Sequence, residues 1–246
     1  MSESTSTPTV VLVHGGFADA SFWAPVIDEL QAHDVPVLAP PNPLRGLAHD
    51  AEYIASYVNQ VDGPVLLVGH SYGGAVISVA GASTPDAVGL VYVAAFALDE
   101  GESFAEIFAG FGETPLVAAV RPSSYPLADG ETAVELTIAP ELYREAFAAD
   151  LSEDLTRVLA ISQRPFAAIF GDRAEAAAWK TLPSWAVVAT SDKAIPPDAE
   201  RHMAQRAGAQ TIEVDASHSI ALSQPAAVAE LIRTAVEATS AVPSSA

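Results

Sequence analysis

One serine in the sequence has neighbours that suit it for nucleophilic chemistry. Ser71 lies at the centre of a G-x-S-x-G pattern at residues 69–73, after the apolar run 64–68 and before the small, apolar segment 75–80. A strand, a sharp turn and a helix in that order hold a serine in a strained backbone with its hydroxyl above the sheet. Side chains at either flanking glycine are predicted to collide across the turn. We predict that Ser71 is a nucleophile; an ordinary glycine-rich turn or a phosphate cradle is the alternative.

A serine hydroxyl attacks slowly until a base removes its proton, and histidine usually supplies that base. His218 follows the last predicted strand, late in the chain, and enters a loop at the carboxyl edge of the predicted sheet. We predict His218 as the general base, against the alternative of a structural loop histidine. His14 and His70 lie within predicted site loops and are interpreted as structural. The remaining histidines occupy polar contexts typical of exposed residues: His33, His49 and His202.

An acid that orients the histidine should leave the strand before it. Asp192 follows the apolar run 186–189 and lies in a predicted strand-end loop, where its carboxylate could accept the far N–H of His218. Two rivals remain open. Asp99 follows another predicted strand at residues 90–94, and Asp215 lies three positions before His218. Asp192 is the predicted acid.

A second glycine-rich loop suits the binding of a developing negative charge. The run Val10–Val13 ends in His14-Gly15-Gly16-Phe17, where small residues allow backbone amides to face a carbonyl oxygen. The amides of Gly16 and Tyr72 are predicted to form an oxyanion hole, with Phe17 as the fallback donor. A plain strand-to-helix loop is the alternative reading of these residues.

Elements that could position these groups alternate along the chain. Six short runs rich in β-branched and aliphatic residues predict strands: 10–13, 35–39, 65–68, 90–94, 186–189 and 211–214. Segments with helical spacing separate them, among them Leu47, Ala51, Ile54 and Val58 on one stripe. Parallel strands need crossover helices, so the alternation predicts an α/β fold with about six mainly parallel strands flanked by helices.

The alternation stops between the fourth and fifth predicted strands. We predict an α/β core from residues 1–98 and 184–246, and a mostly helical cap, or lid, at 99–183. The cap shows helical pieces at 103–108, 140–149 and 152–162, no convincing strand, and aromatic residues that could contact a substrate or form the cap's own core: Phe104, Phe108, Phe111, Tyr125, Phe147, Phe166 and Trp179.

Composition excludes several function classes. The chain of 246 residues is 50% hydrophobic, and 11 Lys and Arg against 31 Asp and Glu give a net charge of −20. Such a surface repels phosphate backbones and anionic lipids, so neither nucleic-acid nor membrane binding is expected. Cysteine is absent, which excludes disulfides and thiolate metal sites and fits a cytoplasmic location, and Met1–Pro8 lacks the apolar core of a signal peptide. No metal or cofactor motif is found; we expect a monomer or homodimer.

The four motifs together resemble the α/β-hydrolase superfamily, and within it the small branch of plant methyl esterases, hydroxynitrile lyases and short bacterial esterases. The resemblance rests on residues 11–16, 69–74, 191–196 and 215–218. It implies an α/β-hydrolase fold, Ser71, Asp192 and His218 as a catalytic triad, and the Gly16 and Tyr72 amides as the oxyanion hole. The lyases of this branch carry threonine and lysine where this chain has Gly15 and Ser219, which disfavours cyanohydrin cleavage.

The function expected from the sequence is hydrolysis of carboxylic esters of small to medium hydrophobic substrates, through an acyl-enzyme on Ser71 and without a cofactor. Three alternatives stay open: a cofactor-free perhydrolase or haloperoxidase-like activity, the disfavoured hydroxynitrile lyase, and a non-catalytic ligand-binding receptor. A binder has no chemical need for a serine, a histidine and an aspartate together, which favours the enzyme.

Overall fold

The computed structural model describes residues 7–128 and 130–240, so the expectation about a targeting segment falls largely outside the described residues. Its strands are β1 (Thr9–Val13), β2 (Val37–Leu38), β3 (Val65–His70), β4 (Ala87–Val93), β5 (Val120–Pro126), β6 (Thr132–Ile138), β7 (Phe166–Ala167), β8 (Ser184–Ala189) and β9 (Gln210–Val214). Its helices are α1 (Ala24–Gln31), α2 (Leu47–Val58), α3 (Tyr72–Ala80), α4 (Phe104–Phe111), α5 (Pro115–Ala119), α6 (Pro140–Phe147), α7 (Glu153–Ser162), α8 (Pro197–Arg206), α9 (Ile220–Ser223) and α10 (Pro225–Ser240).

The main sheet has six strands in the order β2-β1-β3-β4-β8-β9, and every pairing within it is parallel. The six predicted strands are therefore confirmed, although β2 is shorter than the run that predicted it. Strands β3 and β8 are buried along their whole length because helices cover both faces of the sheet.

Alternate residues of the central strands enter two separate apolar layers. In β1, Val11 and Val13 belong to the apolar layer that also contains residues of α2, α3 and α8, whereas Val10 and Leu12 belong to the layer that contains residues of α1 and α10. This arrangement places the carboxyl ends of the parallel strands along one edge, where the loops that follow β1, β3 and β8 meet. Within the described ranges, no helix is long and apolar enough to cross a bilayer.

The chain between β4 and β8 contains the predicted helices, as α4, α6 and α7, but the expectation that it lacks strands is wrong. Strands β5, β6 and β7 form a separate antiparallel sheet in that order. The prolines at 122 and 126 argue against a strand in the sequence because proline has no backbone N–H to donate. Strand β5 accommodates both because it is an edge strand. In β6, Val134, Leu136 and Ile138 alternate with polar or small residues, a strand signal that could have been used.

Candidate active site

The backbone at Ser71 has the strained conformation that the elbow motif predicts. Ser71 joins β3 to α3 with φ 54° and ψ −123°, a left-handed conformation that is uncommon for a residue with a side chain. A β-carbon at Gly69 would collide with the carbonyl of Gly73, which confirms the predicted clash across the turn. At Gly73 the clash would instead be with the carbonyl of Val13 in β1. The second glycine therefore lets the elbow approach the neighbouring strand.

The structure brings the predicted base and acid into contact. His218 Nδ1 lies 2.5 Å from Asp192 Oδ2, and both side chains are almost fully buried. The other oxygen, Oδ1 of Asp192, accepts the amides of Ala194 and Ile195 at 2.6 and 2.9 Å. These three donors fix the orientation of the carboxylate, and the carboxylate in turn holds the proton of His218 on Nδ1.

The rival acids lie elsewhere. Asp99 pairs with Lys180 at 2.5 Å, a contact that lowers the pKa of Asp99, and Asp215 accepts the hydroxyl of Ser191 at 2.7 Å. Of the three candidate acids, Asp192 is the one that contacts the histidine.

The remaining link of the predicted triad is not formed as a hydrogen bond. His218 Nε2 is buried and has no hydrogen-bond partner among residues 7–128 and 130–240, so Ser71 Oγ does not donate to it here. The serine hydroxyl turns about a single side-chain bond, and such catalytic bonds are often long before substrate binds. His218 Nε2 can therefore accept a proton, although no hydrogen-bond donor contacts it in this structure.

His70 supports the loop that carries His218. Its Nε2–H donates to the carbonyl of His218 at 2.9 Å, and its buried ring stacks on Phe22 with centroids 4.3 Å apart. Burial, followed by the nearby His218 ring, holds the pKa of His70 well below its ordinary value, so the ring is neutral. This agrees with its interpretation as structural.

His14 fastens the second glycine-rich loop. Its Nε2 accepts the amide of Asn42 at 2.9 Å, which places the ring proton on Nδ1, where it donates to the carbonyl of Gly15 at 2.9 Å. Burial lowers the pKa of His14 to about 4. In contrast, His33, His49 and His202 are exposed, as predicted.

The predicted oxyanion-hole residues lie close to Ser71. Gly16, Phe17 and Tyr72 all line the same cavity as Ser71. Within the described chain their amide groups make no hydrogen bond to a backbone or side-chain acceptor. Tyr72 is the first residue of α3, whose amides point toward the elbow. These amides are therefore available to hydrogen-bond a ligand in the cavity.

The cavity beside Ser71 is almost entirely apolar. Four of the aromatic residues predicted between β4 and β8 line it: Phe104, Phe108, Phe147 and Phe166. The other three pack elsewhere, Phe111 against His202, Tyr125 under Arg45, and Trp179 under Arg206. Sequence reasoning missed Phe96 and Phe170 as lining residues. Phe96 lies three residues after the end of β4, and that position at the carboxyl edge could have identified it.

Two further acids support the site and were not anticipated. Asp150 accepts the amide of Ser217 at 2.9 Å and its hydroxyl at 2.5 Å, which ties the segment before α7 to the loop of His218. Asp50, fully buried, accepts the hydroxyl of Tyr72 at 2.7 Å. Asp50 lies on the apolar stripe of α2 beside Ala51 and Ile54, and an acid on a buried helix face is a usable signal. Nothing in the local sequence marks Asp150.

Among the described residues, no group of three or more histidine or acidic side chains is arranged to hold a metal ion. The fold and the elbow define the class of protein, and comparison with known families agrees. Residues 10–231 match the model of the alpha/beta hydrolase family, so the chain belongs to that family.

Solved structures with the same fold include enzymes of the branch suggested by the sequence. A pyrethroid hydrolase from Sphingobium faniae JZ-2 is 21% identical with a TM-score of 0.78, covering 95% of this chain and 98% of that one. Polyneuridine aldehyde esterase is 20% identical with a TM-score of 0.81, covering 94% and 100%. A methylesterase from Arabidopsis is 18% identical with a TM-score of 0.73, covering 94% and 99%. No curated protein has a significant match to the chain.

Proposed function

We propose that the protein hydrolyses carboxylic esters of small to medium hydrophobic substrates through an acyl-enzyme on Ser71. The observation that carries the proposal is the buried Asp192–His218 pair. The unpaired Nε2 of His218 lies on a loop at the carboxyl edge of the sheet, where the strained Ser71 also lies. The names of the structural relatives, a pyrethroid hydrolase, an esterase and a methylesterase, also favour ester hydrolysis.

In the proposed reaction, rotation of the Ser71 hydroxyl brings its proton to His218 Nε2 as the oxygen attacks the ester carbonyl. The tetrahedral oxyanion is held by the amides of Gly16 and Tyr72, with Phe17 as the alternative donor. The protonated His218, oriented by Asp192, then gives its proton to the departing alcohol. Water repeats the same steps on the acyl-enzyme and releases the acid.

The cavity restricts which esters can bind. Its lining carries aromatic and aliphatic side chains but no charged one. A charged acyl or alcohol group would lose its hydration without gaining a partner, so uncharged substrates are favoured. Cyanohydrin cleavage is disfavoured because the lyases of the resembling branch carry a threonine where this chain has Gly15. A β-carbon at Gly15 would lie 2.7 Å from Ser71 Cβ, so this backbone leaves no room for that threonine.

The test combines turnover with covalent labelling. A short p-nitrophenyl ester should be hydrolysed, a fluorophosphonate should block that activity by labelling Ser71, and Ser71→Ala should lack both turnover and labelling. Ser71→Ala changes one oxygen and suits the same strained backbone, so the variant should stay folded. Saturable binding of the ester without turnover would refute the hydrolase and favour a receptor.

A further inference from the structure

Glu200 is a buried carboxyl group that the proposed reaction does not use. It lies on the inner face of α8 and is 3% exposed. Its Oε2 accepts the amide of Ala189, at the end of β8, at 3.1 Å. The carbonyl of Ala189 in turn accepts the amide of Asp192 at 3.1 Å, so Glu200 lies beside the loop of Asp192, and the two carboxyl groups are close enough to interact electrostatically.

Two carboxyl groups can share a hydrogen bond only if one of them carries a proton. Asp192 already accepts from His218 and from two backbone amides, so its oxygens act as acceptors. Glu200 Oε1, by contrast, is buried and receives no donor from any residue in the described part of the chain. As an ionised oxygen it would be unsatisfied, whereas a protonated Oε1 can donate to the neighbouring Asp192 carboxyl group. The proton therefore belongs on Glu200.

The surroundings of Glu200 also favour the neutral acid. It lines a second, small cavity whose other lining is apolar apart from Tyr92, and the Tyr92 hydroxyl is engaged with Ser78. The neighbouring cation, Arg201, is bound at the surface by Glu213 and Asp198. Burial, and then the charge of Asp192 and the contact with it, raise the pKa of Glu200 well above its usual range.

We propose that Glu200 is a positioning residue, a neutral carboxylic acid that donates a hydrogen bond to Asp192 and so holds that carboxylate against His218. The positioning role rests on the proposed function, because the positioned pair is the base of the proposed reaction. A neutral donor orients Asp192 without adding a second negative charge beside it.

Two variants separate this role from simple packing. Glu200→Gln keeps the size, the acceptor for the Ala189 amide and a donor for Asp192. We expect kcat/KM for p-nitrophenyl acetate within about threefold of wild type, and a pH–rate midpoint moved by less than about 0.3 units. Glu200→Met keeps the size but has no donor. We expect its kcat to fall about tenfold with little change in KM, since Asp192 loses a charge-assisted hydrogen bond.

Infrared difference spectroscopy observes the proton directly. At neutral pH the wild-type protein should show the carbonyl stretch of a protonated carboxyl group, and Glu200→Gln should lack it. A missing band, or a pH–rate midpoint lowered in Glu200→Gln because a negative charge was removed, would overturn the proposal. Equal rates for the Gln and Met variants would also overturn it.

If Glu200→Met does not fold, the infrared comparison of wild type with Glu200→Gln decides the protonation state alone. A wild-type protein without esterase activity would refute the proposed function, while the infrared band would still report on Glu200. The two failures are therefore distinguishable.

Discussion

Replacing Asp150 with alanine tests whether the segment before α7 holds the loop of His218 in place. Ser217, which precedes the histidine, is 4% exposed and gives both its amide and its hydroxyl to the Asp150 carboxylate. Each hydrogen bond to a charged group contributes about 1.5–3 kcal/mol when its partner is left unsatisfied. Asp150 itself is exposed, so water can replace part of the contact that Ser217 loses. We therefore expect Asp150→Ala to lower the free energy of unfolding by about 2 kcal/mol.

A matched control lies four residues along the chain. Asp154 is the same residue type, its side chain is 98% exposed, and its contact with Arg157 is a surface pair at 3.8 Å. Asp154→Ala should change the free energy of unfolding by less than about 0.5 kcal/mol. Urea unfolding at pH 7.5 measures the free energy of unfolding of both variants. If the dependence of that free energy on urea concentration is unchanged, a shift in the unfolding midpoint reports a change in stability. Activity should fall with Asp150→Ala alone, because that loop carries the base.

The pH dependence of the Asp150 effect has a defined sign. Burial alone would raise the pKa of Asp150, but the hydrogen bonds from Ser217 outweigh burial and hold the pKa below its usual value. A carboxylate of lowered pKa contributes stability that is complete above its unfolded pKa, about 4, and is lost as the pH falls through the folded value. The difference between Asp150→Ala and wild type should therefore be the same at pH 7.5 and pH 5.5. Stabilities of Asp150→Ala and Asp154→Ala that agree within error would refute the reasoning.

Two other variants probe the loop after β1. Burial lowers the pKa of His14 to about 4 from 6.5, so the unfolded chain binds the proton first and stability falls as the pH drops from 6.5 toward 4. At pH 5 the free energy of unfolding of the wild type is lowered by about 2 kcal/mol through this effect. In urea unfolding, the decrease between pH 7.5 and pH 5 should therefore be about 2 kcal/mol smaller for His14→Gln than for wild type. Identical decreases in the two proteins would contradict the assignment. At Gly15, a β-carbon would lie 2.7 Å from Ser71 Cβ and 3.0 Å from the carbonyl of His70, so Gly15→Ala should lower kcat/KM about 100-fold. Gly110→Ala, with open space around the added carbon, should keep the wild-type rate, and equal rates for both variants would exclude the predicted clash.

Most of the main sheet could be predicted because β1, β3, β4 and β8 are short, mainly apolar runs that are buried on both faces. Runs such as 65–68 and 186–189 carry their structural role in their own composition. The antiparallel sheet between β4 and β8 was missed because β5 contains two prolines and two serines, so that its strand conformation depends on pairing with β6 rather than on its own composition.

The candidate site likewise contains residues that the sequence predicts and residues that it does not. The elbow at Ser71 and the loops of Asp192 and His218 are local motifs, so their types and chain order identify them. The groups that orient these residues are distant in sequence: Asp150 reaches Ser217 across 67 positions. Such contacts depend on tertiary packing, which a single sequence does not reveal.

The most direct measurement is the mass of the protein while it turns over an ester. Acid quenching of a reaction with p-nitrophenyl acetate should trap a fraction of the chains with one added acetyl group, and peptide mapping should place it on the peptide that contains Ser71. Hydrolysis that proceeds with no acyl group on that peptide, or that persists at the wild-type rate in Ser71→Ala, would contradict the account.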